Sequence, residues 1–384
     1  MSTNVAPARV FLPCTGLGRE QRGFETFTRE CAAALAPDTR LAITVFGGGG
    51  ALEGGERSVL SLSRSSWGAH AFASLLGSDP YFVEQASFFA GFLPALIVGA
   101  PDVVYFADLN LGNACWHWRR LTRQRYRLLF YNGGATTRPF TRCDVVQQVS
   151  PEHLADAIAR GERADRQVLL PHGIAVTREW RRPDAAGQAR IRATLGVPAT
   201  GRLVLSVGML DKTVKRMDAV IRAVSRLPAP RPHLLLLGSV TAETQGIRSL
   251  AAAQLGAGCT IASLPRERAL EAYTVADAFA LGSLREGFGL AYLEALAAGL
   301  PCVVHDTPNT TYLFGSHGYR GDVGDDAALT ALLTRALDEP VREETARARH
   351  AWVRDRFSWE HLAPRYSELL RACAAGRTPA SEVA

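Results

Sequence analysis

The segment REGFGLAYLEALAAGLPCVVHD, residues 285 to 306, holds the residue types and spacing best suited to chemistry. It reads as a strand end, a glycine-rich turn, a helix and a further strand. Gly287, Phe288, Gly289 and Leu290 open that helix. The unpaired N–H groups and positive dipole end of a helix start suit a diphosphate. Glu286 precedes the turn, and Glu294 lies about one helical turn inside. Carboxylates beside phosphates are favourable where they accept hydrogen bonds from the hydroxyls of a neutral sugar and leave the phosphates to N–H groups and cations. That division of labour fits a nucleotide sugar. For Glu294 taken alone, a solvated helix face is the simpler reading.

Of the 43 basic residues only two are lysines, and both stand in one short loop, at Lys212 and Lys215. An ammonium is a compact charge that serves phosphate oxygens without needing arginine's planar fork. The loop therefore reads as phosphate-binding, with chance survival in an arginine-rich chain as the alternative. The pattern E-G-F-G-x-x-x-x-E, followed by A-x-x-x-G-x-P, resembles the retaining glycosyltransferases of the GT-B fold, and within them family four. The resemblance runs from SVGMLDKTVKRMDAVIRA at 206 to FSWEHLAPRYSELL at 357, while the first half is similar only in layout.

That resemblance implies a nucleotide-diphosphate sugar as co-substrate, transferred with retention to a natural-product, lipid-linked or saccharide hydroxyl. Glu286 would contact the donor sugar hydroxyls beside the reacting carbon, and Glu294 would hold the ribose. The backbone of Gly287 to Leu290 would bind phosphate, and Lys215, in the loop led by Gly208, would neutralise the diphosphate. Where the family often has arginine after that glycine, this chain has Met209, and Lys212 is expected to supply the charge. The acceptor hydroxyl would attack on the face the nucleotide leaves, and the leaving phosphate would take the proton. No Asp-x-Asp occurs in the sequence, so no metal is expected.

In the first half, Gly16 and Gly18 stand between the first strand and first helix, where backbone can approach the donor. As a dinucleotide fingerprint this loop fails, because a third glycine is needed where Gln21 stands. The resemblance places the loop under the reacting centre. Family members often present a histidine after the strand that matches 102–106. Here the chain reads ADLNLGNACWHW, with Asp108 and Asn110 at the strand end and His117 further along on a helix. Asp108 joins Glu286 and Lys215 as a catalytic candidate, with a helix N-cap as the alternative. Asn110 and Asn132 are candidates for the acceptor, although Asn132-Gly133-Gly134 is as readily a plain turn. The stretch WHWRRLTRQRYR, 116 to 127, reads either as a membrane-surface helix or, preferably, as a basic face with its tryptophans in the core. Phe82, Phe88, Phe89 and Phe92 read first as core and second as an apolar acceptor groove. GGGG at 47 to 50 reads as a flexible loop.

These residues need a scaffold to position them. With 384 residues, 47% hydrophobic and 21% charged, the chain suits two domains. Short Val, Leu, Ile and Phe runs alternate with amphipathic stretches, which makes the fold class α/β. We expect two Rossmann-like doubly wound domains facing a cleft, because such sheets bind ligands at the carboxyl ends of their strands. The first spans 1–178 and the second 179–357, with REWRRPDAAG as linker, a helix at 358–373 returning to the first domain and a disordered tail at 374–384. The apolar stretch 86–100, with Gly91 and Pro94 inside it, is too short for the roughly 20 residues that span a bilayer. Weak peripheral membrane contact stays open. Seven scattered cysteines without C-x-x-C suggest a cytoplasmic protein. A charge of +6 biases the surface towards anions, but there is no base-stacking basic run, so nucleic acid is not expected. The rivals are a pyridoxal-phosphate phosphorylase of the same fold, a non-catalytic nucleotide-sugar binder and, distantly, a nicotinamide oxidoreductase.

Overall fold

The computed structural model describes residues 6–20, 23–134, 136, 138–339 and 343–379. The chain divides into two compact units, Met1–Ala175 with Trp359–Ala384, and Val176–Ser358.

Unit 1 contains β1 (Ala8–Cys14), α1 (Gly23–Leu35), β2 (Leu41–Gly47), β3 (Arg57–Ser58), α2 (Trp67–Leu76), α3 (Pro80–Gly99), β4 (Val103–Phe106), α4 (Leu109–Thr122), β5 (Arg127–Asn132), β6 (Val145–Gln148), α5 (Pro151–Ala159) and β7 (Gln167–Leu169). Its strands form one parallel sheet in the order β3-β2-β1-β4-β5-β6-β7. Unit 2 contains α6 (Ala185–Leu195), β8 (Leu203–Val207), α7 (Met217–Ser225), β9 (His233–Leu237), α8 (Thr244–Leu255), β10 (Cys259–Ala262), α9 (Arg266–Val275), β11 (Ala278–Ala280), α10 (Leu290–Ala297), β12 (Cys302–His305), α11 (Pro308–Phe314), β13 (Tyr319–Gly321), α12 (Asp326–Asp338) and α13 (Glu343–Phe357). Its parallel sheet runs β10-β9-β8-β11-β12-β13. In both sheets strand order reverses beside the first strand, between β1 and β4 and between β8 and β11, the position at which open parallel sheets form a ligand crevice.

The last helix, α14 (Trp359–Ala374), belongs to unit 1. It is held there by Trp359 Nε1 donating to Glu30 Oε2 at 2.8 Å, and by Tyr366, whose hydroxyl donates to the Pro171 carbonyl and accepts from Gln147 Nε2, each at 2.8 Å.

Several expectations need correction. The linker ends early, because Asp184 caps α6 by accepting from the Gly187 N–H. Helices α2 and α11 and the short edge strands β3 and β13 were not read from sequence. The apolar stretch 86–100 is only part of α3, whose twenty residues are long and apolar enough to cross a membrane by length and composition. Gly91 does not break it, because the Leu60 carbonyl occupies the space where a Cβ would stand. Nor does Pro94, near the end of a helix whose Phe88, Phe92 and Leu96 are buried in the unit 1 core. The GGGG run is packed rather than free: a Cβ on Gly50 would lie 2.3 Å from the Gly18 carbonyl oxygen, and Ala51 N–H donates to that same oxygen at 2.9 Å. Residues 375–379 of the expected tail are described, with Gly376 and Arg377 N–H groups closing on Cys373 and Ala372 carbonyls. Gln21 and residues 380–384 of the expected tail lie outside the described residues.

Candidate functional site

In unit 2 the loop after β8 and the loop after β11 meet where strand order reverses. Gly208 ends β8, its N–H donating to the Leu237 carbonyl, and its missing side chain leaves room for the Lys215 stem, whose Cγ would lie 2.9 Å from a Cβ there. The loop is tied by Asp211, 4% exposed, whose Oδ1 accepts from the N–H groups of Val214 and Lys215 at 2.8 and 2.7 Å. So held, Lys215 reaches the other loop, and its Nζ donates to both carboxylate oxygens of Glu286, each at 2.7 Å. Both side chains are mostly but not wholly covered, at 19% and 11% exposure.

Beyond Glu286, half-buried Gly287 leads to Phe288, which turns its ring into the core against Phe357 and gives its carbonyl to Asn309 Nδ2 at 2.9 Å. Phe288 therefore anchors the turn, and only its backbone lies along the loop. Gly289 caps α10 at φ +101°, and a Cβ there would fall 2.4 Å from the Tyr292 ring. Among the described residues no side chain caps the N–H groups that begin at Leu290. Glu294, one turn in, accepts from Arg266 at 2.7 Å on one oxygen and from the Tyr273 hydroxyl at 2.9 Å on the other. Burial first, then the Glu294 carboxylate, push the Tyr273 phenol well above its ordinary range, so it stays a donor.

Lys212 is not brought to this cluster. It is exposed, its N–H donates to Glu243 at 2.7 Å, and its Nζ lies over Gly246 of α8. The next cation along the loop is Arg216, at φ +49°, whose guanidinium donates to the carbonyls of Gly282 and Val323 at 3.2 and 3.1 Å. Arg216, Arg266 and Tyr273 were missed in the sequence. Asp211, directly before the first lysine, carried a legible turn signal.

In unit 1 the same topology brings Thr15, after β1, to Asp108, after β4. Asp108 stands at the N-cap position of α4 but makes no capping bond. Its carboxylate accepts from the Thr15 hydroxyl at 2.8 Å and, through a short bond, from the Tyr81 hydroxyl. A pocket opens here, walled by Phe24, Phe27, Tyr105 and Tyr131, with Tyr81 and Asp108 at its polar end. Gly16 accepts from the N–H groups of Arg19 and Glu20, and Gly18 stands at φ +85° in the turn packed on 49–51. Asn110 is half-buried, its Nδ2 donating to Gln85 at 2.8 Å. Asn132 is 2% exposed and joins a ladder across the sheet: its Nδ2 donates to Gln148 at 2.8 Å, and Gln148 donates to Gln167 at 2.8 Å. Its Oδ1 accepts from the Thr136 N–H at 3.0 Å, so both ends of this amide serve the fold.

Trp116 and Trp118 pack partly buried against the unit 1 core, as the simpler reading of 116–127 expected. Phe88 and Phe92 are core, Phe89 packs against it and Phe82 is exposed. Among the described residues no three of His, Cys, Asp or Glu cluster as metal ligands.

Residues 187–353 match the family described as glycosyl transferases group 1. Among characterised proteins, the chain is 31% identical over 238 residues to a D-inositol 3-phosphate glycosyltransferase of Acidothermus cellulolyticus, covering 58% of this chain and 52% of that one. It is 30% identical over 280 residues to the same-named protein of Stackebrandtia nassauensis, covering 64% and 62%. The chain thus spans about half the length of the first curated relatives it matches. Among solved structures, sucrose-phosphate synthase from Thermosynechococcus elongatus superposes with a TM-score of 0.79 at 20% identity, over 96% of this chain and 99% of that one. Anabaena HepE in complex with UDP-glucose gives 0.72 at 16% identity, over 95% and 99%. These likenesses establish the GT-B fold.

Proposed function

From the match of residues 187–353 to the glycosyl transferases group 1 family, we propose that the chain is a retaining, metal-independent glycosyltransferase. It moves a sugar from a nucleoside diphosphate to an acceptor hydroxyl. One observation carries the reading: Lys215 and Glu286, from loops on either side of the unit 2 crevice, hold each other through two 2.7 Å bonds at the uncapped start of α10. A nucleotide sugar offers each of them a better partner. Its diphosphate takes the ammonium and the α10 N–H groups, and its sugar hydroxyls donate to the freed carboxylate. As the sugar–phosphate bond breaks, charge grows on the leaving phosphate, where Lys215 and the helix start are already aimed. That phosphate accepts the acceptor's proton. Glu294, held by Arg266 and Tyr273, takes the ribose hydroxyls.

In unit 1, Tyr81 and Asp108, the latter held by Thr15, line the pocket for the acceptor or the transferred sugar. The seven cysteines are all free thiols, in keeping with a cytoplasmic setting.

The test is a thermal-shift panel of UDP-, GDP-, ADP- and TDP-sugars without added metal. A ligand at a hundred times its dissociation constant adds about 2.7 kcal/mol of stability. A shift with one nucleotide that Glu294→Ala removes supports the reading and names the base. Donor binding without transfer or hydrolysis identifies a non-catalytic binder, and no shift with any nucleotide overturns the proposal.

A further inference from the structure

The outward faces of α2 and α3 form an apolar surface that the fold of unit 1 does not use. While α3 buries Phe88, Phe92 and Leu96, it turns Phe82, Ala86, Ala90, Pro94, Ile97 and Val98 to solvent. These positions recur at helical spacing and form one stripe, roughly 24 Å long at 1.5 Å per residue. Ile97 is 55% exposed and Val98 85%. Helix α2 lays Ala69 and Ala73 on Val83 and exposes Trp67 at 85%, Leu75 at 80% and Leu76 at 61%. Its sequence, WGAHAFASLL, holds no Asp, Glu, Lys or Arg. The one charged side chain within α3, Glu84, is buried and bonded to Arg64. Single exposed apolar residues are ordinary, but an apolar stripe of this length, with only the N-cap Asp79 charged at its start, marks a contact surface.

Its rim says what it contacts. Gln124 Nε2 donates to the Leu96 carbonyl at 3.0 Å, which brings the turn after α4 to the end of α3. There Arg120, Arg123 and Arg125 are exposed and form no ion pair among the described residues, and Leu121, 78% exposed, stands between them. The neighbouring Arg9 is balanced by Asp102 at 3.8 Å. We propose that this face docks on an anionic lipid bilayer, the stripe entering the acyl boundary and the three arginines meeting lipid phosphates. An apolar band with a cluster of cations at one end matches the layering of acyl chain and phosphate in such a leaflet.

The inference stands apart from the donor reading, because vesicle binding needs neither donor nor acceptor. The full chain is pelleted with vesicles of phosphatidylcholine plus phosphatidylglycerol, and with phosphatidylcholine alone. Binding to the mixed vesicles is expected, at least about tenfold weaker to the neutral ones and about fivefold weaker for each arginine lost in Arg123→Ser/Arg125→Ser, with salt weakening it further. Leu75→Asp/Val98→Asp, two exposed sites, should lose about tenfold or more while keeping the wild-type unfolding temperature and donor-induced shift. Wild-type protein left in the supernatant with both vesicles overturns the proposal. So does vesicle binding that Leu75→Asp/Val98→Asp leaves unchanged, or a solution dimer which that double substitution splits.

Discussion

Lys215 and Glu286 neutralise one another in the resting chain, so neither is an uncompensated charge in a partly covered site. Removing the lysine deprives the diphosphate of a charge-assisted contact worth about 1.5 to 3 kcal/mol and leaves the carboxylate to repel it. Lys215→Ala is therefore expected to weaken donor affinity by roughly ten- to a hundredfold, measured by titration with the nucleotide sugar. Arginine is a poor replacement, because its planar fork does not reproduce a compact ammonium. The two glutamates separate in kinetics. Glu286→Ala should lower kcat, since its proposed contact is beside the reacting carbon, whereas Glu294→Ala should chiefly raise the donor KM. Small, equal effects of both substitutions would count heavily against the proposed roles.

Helix α10 starts where it does because Gly289 adopts φ +101° and Tyr292 fills the space beside it. Gly289→Ala places a methyl group in the left-handed region, at about 1–2 kcal/mol, and against that ring. A lower urea midpoint together with a smaller donor-induced shift is expected, because the same turn aims the N–H groups. Most such elements were legible in the sequence. Buried parallel strands such as His233–Leu237 and Cys302–His305 read as plain apolar runs. The edges were not, since β3 and β13 have only two and three residues. Helix α2 escaped because its outer face is as apolar as its inner one, which erases the periodic contrast that marks a helix. The site shows the same division. Glu286, Glu294 and Lys215 stand out by residue type and local spacing, whereas Arg266 and Tyr273 come to Glu294 from α9, a separate helix that no local pattern connects to it. Asp108 stood out as a catalytic candidate with a helix cap as the alternative, but its partner Thr15 is brought to it only by the order of β1 and β4 in the sheet.

Across the whole chain, stability depends on carboxylates and on the returning helix. Hydrogen bonds from Arg40 hold Asp38 below its ordinary 3.8, and those from Arg222 do the same for Asp326. Burial alone would raise Glu339, but Arg349 and Tyr319 hold it below 4.5. Groups depressed in this way add stability above their unfolded values and lose it as pH falls. Burial also pushes His233 and His317 below 6.5, so both resist protonation when folded. The urea midpoint should therefore begin to fall below pH 6.5 as these histidines charge in the unfolded chain, and drop more steeply below 4.5. A midpoint constant down to 4.5 would remove the histidines from this account. Tyr366→Phe strips Gln147 and the Pro171 carbonyl of buried partners. It should cost about 1–3 kcal/mol, seen as a lower midpoint with an unchanged denaturant slope. This geometry also bears on biosynthesis. Unit 2 is one uninterrupted run, whereas unit 1 is made from the residues before it and a helix that leaves the ribosome after unit 2. Nascent chains ordinarily fold from the N-terminus, domain by domain. Here the half translated first must wait, with Gln147 lacking one of its partners, Tyr366, while the half translated second can already be complete, so the order of folding reverses the order of synthesis.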